Sequence, residues 1–247
     1  MIMIHAKKIV KTFGFGEDKA VVLNNLDLTV GQGEFVAIMG PSGSGKSTLL
    51  YALSTIEDID SGDLIVDQVD MNGLREDEKA DFRRKKFGFV FQNPTMLKNL
   101  NLLENIILQA SYDKSQDKRK LIERAKDLMK KTGINGLENR NITEASGGQL
   151  QRAGICRAVL HKPGIVFADE PTGALDSKSG DAIMDLFAAI NEEGMTIVLV
   201  THDSKVASIA DKVIFMKDGE IKEETTLKDL PKQEKLKEIE ATIKRVF

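Results

Sequence analysis

Residues 34–48 read EFVAIMGPSGSGKST, and this stretch decides the fold of the 247-residue chain. It begins with a short apolar run, of the kind that is buried in a parallel sheet, and continues into a glycine-rich turn. Helical patterns separate most of the similar apolar runs later in the chain, which span residues 87–91, 165–168, 195–200 and 213–216. This alternation predicts an α/β fold with a mainly parallel central sheet.

Antiparallel strands are predicted on both sides of this core. Apolar residues alternate over Ile2–Val10 and Val21–Val30, with Phe13-Gly14-Phe15-Gly16 between them, which is typical of a small antiparallel sheet. Asp218-Gly219 predicts the hairpin turn that closes the last strand pair.

Helical patterns dominate two other regions. Between Pro94 and Lys162 the β pattern gives way to amphipathic segments around residues 103–110, 117–131 and 149–160, which predict a helical lobe inserted into the core. The tail from about residue 227 to 247 is rich in lysine and glutamate and has apolar residues at helical spacing. It predicts an amphipathic helix that either packs on its own domain or serves as a docking element.

The glycine-rich turn satisfies the pattern of a phosphate-binding loop and lies between a predicted strand and a predicted helix. Glycines let backbone N–H groups turn toward a polyphosphate, and the helix N-terminus adds partial positive charge. Lys46 is expected to reach the β- and γ-phosphates, and Ser47 to bind Mg²⁺. The residues of this loop that are predicted to bind the polyphosphate are Gly40, Pro41, Ser42, Gly43, Ser44, Gly45, Lys46, Ser47 and Thr48.

Two carboxylates follow another apolar run. Ile165–Ala168 leads directly into Asp169 and Glu170, at the edge of the sheet where ligands bind in open α/β folds. Because adjacent side chains of an extended segment point to opposite sides, we expect different roles. We assign Asp169 to Mg²⁺ coordination and Glu170 to general-base or water-orienting chemistry. Alone, such a pair is usually a helix cap or a solvated turn; the phosphate-binding loop in the same chain favours the catalytic interpretation.

Composition restricts the partners and the compartment. With 35 basic and 38 acidic residues, the formal charge of −3 gives no electrostatic reason to expect direct nucleic-acid binding. The single cysteine, Cys156, excludes an intramolecular disulfide and is expected to be buried in a protein of a reducing compartment. The N-terminus does not resemble a secretion signal, and no stretch approaches the roughly 20 apolar residues that cross a bilayer. We therefore expect a cytoplasmic chain, and if it acts at a membrane, another chain must supply the spanning part.

The sequence Glu144-Ala145-Ser146-Gly147-Gly148-Gln149 resembles the signature motif of ABC ATPases. The other motifs of that family occur in the expected order: Phe13 in place of the aromatic that stacks on adenine, Gln92 as the Q-loop glutamine, Ala174-Leu175-Asp176 as the D-loop and His202 as the switch histidine. The resemblance implies a P-loop NTPase (RecA-like) core with a mainly parallel sheet, an antiparallel β subdomain and an inserted α-helical subdomain. It implies one ABC ATPase domain over residues 1–247, with the core and antiparallel part in 1–92 and 163–224, the helical signature subdomain in 93–162 and a helical tail in 225–247.

The resemblance also implies a role for each matched group. In the family, the Ser146–Gln149 turn caps the γ-phosphate bound by the opposite subunit, so that a homodimer encloses two ATP molecules. His202 is implied to polarise the γ-phosphate and to hold the attacking water. Gln92 is implied to contact Mg²⁺ or that water and to relay the nucleotide state, and Asp176 to contact the opposite phosphate loop. The implied catalytic groups are Lys46, Gln92, Glu170 and His202, and the implied Mg²⁺ ligands are Ser47, Gln92 and Asp169.

Three positions depart mildly from the family pattern. Ala145 stands where the signature usually has a larger aliphatic residue, Gly173 where the D-loop often has serine, and Phe13 where tyrosine is commoner. None of these changes removes a catalytic group, so two equivalent active sites are expected in the homodimer.

Three classes of ABC machine compete for this chain: a membrane-coupled ATPase, a chromosome-organising or DNA-repair ATPase, and a translation factor. Chromosome-type members insert a long coiled coil between phosphate loop and signature, and Gln92 and Ser146 are too close in sequence for one. Translation-type members carry two ATPase domains per chain, and this sequence has one. The comparison favours a membrane-coupled subunit.

The blocks at residues 91–97, 102–105 and 168–178 resemble one subfamily. It contains the ATPases of macrolide exporters (MacB-like), lipoprotein-releasing complexes (LolD-like) and antimicrobial-peptide resistance transporters (BceA-like), with FtsE as a relative; the last block looks most like the peptide-resistance branch. This resemblance implies a dimer that drives a separate FtsX-like permease on the cytoplasmic face of the membrane. The first alternative is the ATPase subunit of an ABC importer, and the second is a non-transport ABC ATPase.

Overall fold

The computed structural model describes residues 1–14, 16–112 and 117–247, without the side chains of Glu17 and Lys232. Phe15, in the predicted turn between the first two strands, lies outside these residues. The chain divides into two compact units, the first formed by residues 1–83 and 191–247 and the second by residues 84–190.

In chain order the strands and α-helices are β1 Ile2–Phe13, β2 Ala20–Gly31, β3 Phe35–Met39, α1 Lys46–Leu53, β4 Ser61–Val66, β5 Val69–Asp70, α2 Glu76–Lys86, β6 Phe87–Phe91, α3 Leu102–Ile107, α4 Lys118–Lys131, α5 Gly147–Val159, β7 Ile165–Asp169, α6 Ser177–Glu192, β8 Thr196–Val200, α7 Ser204–Ala207, β9 Lys212–Lys217, β10 Glu220–Thr226 and α8 Lys232–Val246.

The first unit contains an antiparallel sheet in the order β2-β1-β4-β5. Strands β1 and β2 pair as the sequence predicts, for example Ile4 with Val30. Strands β4 and β5 were not predicted. In β4 only Leu64 and Val66 are buried, and the exposed Ile65 between them is also apolar, so the sequence shows no alternation that could be recognised.

The parallel strands of the first unit position the phosphate-binding loop. Strand β3 lies between β8 and β9 and is parallel to both, and every residue of β3 and β8 is buried. Such burial on both faces explains their continuous apolar sequences. The predicted hairpin is present: β9 and β10 pair antiparallel, and Asp218 and Gly219 have φ angles of 51° and 76°, as a type I′ turn requires.

The second unit combines the parallel pair β6–β7 with most of α6 and with the helices α3, α4 and α5. Their buried apolar side chains form one cluster that includes Ile106, Ala125, Met129 and Cys156. Cys156 is buried as predicted, and burial raises the pKa of its thiol to about 11. Helix α3 ends at Ile107, whereas the spacing of apolar residues predicts a helical segment to about Ala110. A short 3₁₀ turn covers residues 110–112 instead.

Helix α8 packs inside the first unit. Ile239 and Thr242 are fully buried, the Phe247 ring lies 6.2 Å from the Phe215 ring, and Arg245 pairs with Glu223. Among the helices of the described residues, none combines the length and the apolar composition that crossing a bilayer requires.

Candidate functional site

The phosphate-binding loop joins β3 to α1 with a backbone that depends on glycine. Gly43 and Gly45 have φ angles of 79° and 96°, which side chains disfavour. A Cβ on Gly40 would lie only 2.2 Å from the Met216 carbonyl oxygen. At position 40 the loop therefore lies so close to β9 that only glycine fits.

The polar groups of this loop suit an anion. Lys46 is 8% exposed, and its Nζ donates to the carbonyl oxygens of Gly40 and Pro41 at 2.9 and 2.8 Å. Gly45 precedes the first residue of α1 and has no side chain that could cap the helix N–H groups. Ser44 Oγ is buried and has no hydrogen-bond partner among the described residues. An ammonium group, a helix N-terminus and an unpartnered hydroxyl together fit a polyphosphate.

His202 follows β8 at the same edge of the parallel strands. The Thr201 N–H donates to the Ile38 carbonyl at 3.1 Å, and the Asp203 N–H donates to Thr201 Oγ1 at 3.0 Å. These bonds hold His202 in a tight turn before α7, with its side chain exposed. Because β3 and β8 are parallel neighbours, the first unit places the phosphate-binding loop and His202 at one edge.

Phe13 is the last residue of β1, and 42% of its surface is exposed. The Lys11 ammonium lies 5.1 Å from the centre of its ring. The ring is thus accessible for stacking on a planar ligand such as adenine, as the resemblance implies.

In the second unit, Gln92 follows β6 and Glu170 follows β7, and the two residues lie at the same edge of this strand pair. Phe91 is paired with Asp169 in the β6–β7 ladder, so the next residues, Gln92 and Glu170, begin at the same edge. Glu170 has a left-handed φ of 43°, which is unusual for a residue with a side chain. The Gly173 N–H donates to the Glu170 carbonyl at 3.0 Å and closes the turn.

The turn of the signature-like motif starts a helix. Ser146 is the N-cap of α5; its Oγ accepts the Gln149 N–H at 3.3 Å, and the Gln149 side chain accepts the Ser146 N–H at 3.0 Å. This capping box starts the helix at Gly147, two residues before the start predicted near Gln149. The N–H groups of Gly147 and Gly148 belong to the first turn, where anions bind.

Asp176 lies at the start of α6 and bonds to Ser179, which the sequence analysis missed. Ser179 donates its hydroxyl to Oδ2 at 2.7 Å and its N–H to Oδ1 at 3.0 Å. The hydroxyl bond, followed by the N–H bond, lowers the pKa of Asp176 and keeps it ionised. A Cβ on Gly148 would lie 3.3 Å from Ser179 Oγ, so the signature turn and this helix start are neighbours. Aspartate is a preferred N-cap residue, and an N-cap side chain bonds to the N–H of the second or third helical residue, so position 179 could have been identified from the sequence.

The described residues contain no cluster of three or more histidine, cysteine, aspartate or glutamate side chains that could hold a metal ion. The predicted Mg²⁺ ligands are instead a hydroxyl, an amide and one carboxylate, from Ser47, Gln92 and Asp169. All three are oxygen donors, and so few protein ligands suit Mg²⁺ bound mainly through phosphates and water.

Comparisons with known proteins identify close similarities. A family model described as "ABC transporter" matches residues 23–173. The chain is 43% identical over 226 residues to the macrolide export ATP-binding/permease protein MacB of Mannheimia succiniciproducens, covering 91% of this chain and 35% of MacB. It is 44% identical over 222 residues to the bacitracin export ATP-binding protein BceA of Halalkalibacterium halodurans, covering 90% of this chain and 87% of BceA. The chain thus spans about a third of the MacB relative and most of the BceA relative.

A solved structure is also similar. The ATP-binding cassette MJ0796 of Methanocaldococcus jannaschii, a dimer in a post-hydrolysis state bound to ADP and Pi, matches with a TM-score of 0.85 at 39% identity. The match covers 91% of this chain and 99% of the cassette. The predicted α/β fold of a P-loop NTPase is confirmed by this similarity.

Proposed function

Since this chain belongs to the ABC transporter family, we propose that it hydrolyses ATP as a homodimer and drives a separate, FtsX-like membrane permease. The chain is an ATP-binding subunit and an ATP hydrolase of the ABC type. The observation that carries the finer proposal is its identity to BceA, an export ATP-binding protein, over most of both chains.

The first unit supplies the groups that bind the nucleotide. Lys46 is proposed to bind the β- and γ-phosphates together with the N–H groups of the 40–48 loop, and Phe13 to stack on the adenine. The buried ammonium and the exposed ring support these roles. His202, held in its turn after β8, is proposed to donate a hydrogen bond to the γ-phosphate.

The second unit supplies the hydrolytic carboxylate. Glu170 is proposed to orient the attacking water and accept its proton. Asp169 is proposed to hold Mg²⁺ together with Ser47, and Gln92 to contact Mg²⁺ or the attacking water. The ion would neutralise charge on the phosphates when bound. The strand register that brings Gln92 and Glu170 to one edge supports their joint action.

Dimerisation completes the proposed site. The Ser146–Gln149 turn, exposed at Ser146 and Gly147, offers helix N–H groups to an anion, and we propose that it caps the γ-phosphate bound by the second copy. The dimeric state of MJ0796 supports this arrangement. Asp176 is proposed to contact the second copy while it caps its own helix.

We further propose that the dimer lies on the cytoplasmic face of the membrane and acts in export, in resistance to antimicrobial peptides or in extraction of lipoproteins or peptides. The names of the MacB and BceA relatives support export. Work on the permease would come from closing and opening of the dimer with ATP binding and hydrolysis.

The test is to isolate this chain from gently solubilised membranes of its own host and identify the membrane protein that comes with it. A partner with four spanning helices and a large external domain is expected. A multi-span importer permease would overturn the proposed direction, and recovery of ribosomes or DNA without a permease would overturn the transport function. The ATPase variant Lys46→Ala serves as a control for nucleotide-dependent association.

A further inference from the structure

We propose that Gly173 is a positioning residue for ATP hydrolysis, because its lack of a side chain lets the Gln92 amide lie beside the Glu170 carboxylate. The inference rests on the proposed hydrolytic roles of Gln92 and Glu170. It assigns a function to the glycine at a position where the D-loop of the family often has serine.

The space beside Gly173 is filled by the two polar side chains. A Cβ at this position would lie 2.8 Å from Gln92 Nε2 and 3.3 Å from Glu170 Oε2. The first distance is shorter than a van der Waals contact allows, so even alanine must displace the Gln92 amide. The second is tight, so the carboxylate must shift by a few tenths of an ångström.

The backbone at Gly173 does not itself require glycine. Its φ lies outside the left-handed region, so alanine can adopt the same conformation. Its N–H bond to the Glu170 carbonyl, at 3.0 Å, involves only the backbone and is retained in alanine. A substitution here therefore changes the contact with the side chains and leaves the turn intact.

Gln92 can respond only by rotating its side chain. The strand end before it is fixed, because Phe91 pairs with Asp169 and the Phe91 carbonyl accepts a bond from Gln151 Nε2 at 3.0 Å. The Gln92 side chain itself is exposed and can rotate. A Cβ at position 173 therefore turns its amide toward solvent. The amide then leaves the place beside Glu170 that we propose for water orientation.

Gly173→Ala is expected to slow the chemical step of ATP hydrolysis. Misplacement of a catalytic group by about 1 Å costs up to roughly 100-fold in rate. For a displaced amide that orients water we expect a decrease of roughly tenfold in kcat. The KM for ATP should stay within about twofold of the wild-type value, because the phosphate-binding loop is unchanged.

The experiment compares Gly173→Ala with Gly180→Ala in the full chain by steady-state phosphate release over a range of ATP concentrations. Gly180 is the matched control, since its Cβ would make an ordinary 3.7 Å contact with Thr172. Both substitutions are repeated in the Gln92→Ala background. With the amide removed, Gly173→Ala should cause little further loss, while Gly180→Ala should have no effect in either background.

Two results would overturn the inference: wild-type kcat in Gly173→Ala, or an equal loss in the Gln92→Ala background. If Gly173→Ala unfolds, the double variant decides, because restored folding supports the contact and persistent unfolding refutes it. An inactive wild-type dimer would refute the proposed function instead, so the two failures are distinguishable.

Discussion

Glu170 and Lys46 are each held in the structure at a cost in free energy. The left-handed φ of 43° at Glu170 costs about 1–2 kcal/mol relative to an ordinary strand conformation. Lys46 is nearly buried, and carbonyl oxygens hold its ammonium group. Such costs recur at functional sites, where the surrounding structure must fix a reactive group in one place.

Removing the charge at Lys46 should abolish tight nucleotide binding. In Lys46→Ala the proposed hydrogen bonds to the β- and γ-phosphates cannot form. Each such bond from a charged group is worth about 1.5–3 kcal/mol, so ATP affinity should fall roughly 100-fold or more. Isothermal titration calorimetry measures the change. Lys85→Ala, at an exposed position on α2, should bind ATP like the wild type. Tight ATP binding by Lys46→Ala would exclude Lys46 from phosphate recognition.

His161 should make stability depend on pH. Burial lowers the pKa of His161 and outweighs the opposing effect of the hydrogen bond between Nε2 and the Phe87 carbonyl oxygen, 3.1 Å away; the charge of Arg124 adds to the lowering. The neutral ring with Nε2 protonated can donate this bond. The unfolded state therefore binds the proton more readily than the folded state. The contribution of neutral His161 to the free energy of unfolding is complete above about pH 6.5 and is lost as the pH falls toward the lowered pKa of the folded state.

The change is measured by urea denaturation at about pH 7.5 and about pH 5.5. Wild-type protein should be less stable at the lower pH, and His161→Gln, which keeps a side-chain N–H donor, should lose less stability between the two. Equal pH dependence in both proteins would show that His161 does not cause it.

At the scale of secondary structure, helices α3 and α5 hold the segment that follows β6. Arg157 of α5 donates to the Thr95 carbonyl at 2.6 Å. Asn105 of α3 is fully buried, accepts the Leu97 N–H at 2.7 Å and donates to the Leu97 carbonyl at 3.1 Å. The same α5 begins at the signature turn, so the segment after Gln92 is bonded to the helix that carries the proposed γ-phosphate cap.

The Asn105 side chain should be essential to this element. In Asn105→Ala the N–H of Leu97 loses its acceptor and three carbonyl groups lose a donor that comes from a fully buried side chain, so we expect a loss of about 3 kcal/mol in the free energy of unfolding. Asn99→Ala, at an exposed position nearby, should change it by less than about 0.5 kcal/mol. Urea denaturation followed by circular dichroism compares them, and similar stabilities would contradict a bonding role for Asn105.

For the whole molecule, the proposed groups are shared between the two units: Lys46 and His202 belong to the first, and Glu170 and the Ser146–Gln149 turn to the second. Hydrolysis should therefore be a property of the complete chain in its dimeric, nucleotide-bound form. The prediction can be tested with a variant in which the chemical step is slow. Nucleotide that stays bound without being hydrolysed should keep the proposed dimer closed.

Glu170→Gln should retain ATP binding, lose at least about 100-fold in turnover and accumulate a dimer with MgATP, since the amide cannot accept a proton from water. Gel filtration with light scattering gives the mass, and phosphate release gives the rate. Glu192→Gln, at an exposed position in α6, should hydrolyse ATP normally and show no stable dimer. Turnover at the wild-type rate in Glu170→Gln would remove the residue from its proposed role.

Part of this protein is determined by its sequence alone. The apolar run Phe35–Met39 requires burial, and the glycines after it permit only a sharp turn into a helix, so β3, the phosphate-binding loop and α1 follow from neighbouring residues. The Asp218-Gly219 hairpin is local in the same way. Strand β4, with two buried apolar residues, has too weak a local pattern and forms because β1 offers it an edge.

Only the tertiary structure decided which distant groups meet. The sequence identifies Gln92, Glu170 and Gly173 as parts of separate motifs, and the pairing of Phe91 with Asp169 brings all three side by side. The bonds from Gln151 to the Phe91 carbonyl and from Arg157 to the Thr95 carbonyl likewise join segments that are distant in sequence. Local periodicity specifies the conformation of each segment, whereas contacts between segments depend on the free energy of packing the whole unit, which no short window of sequence contains.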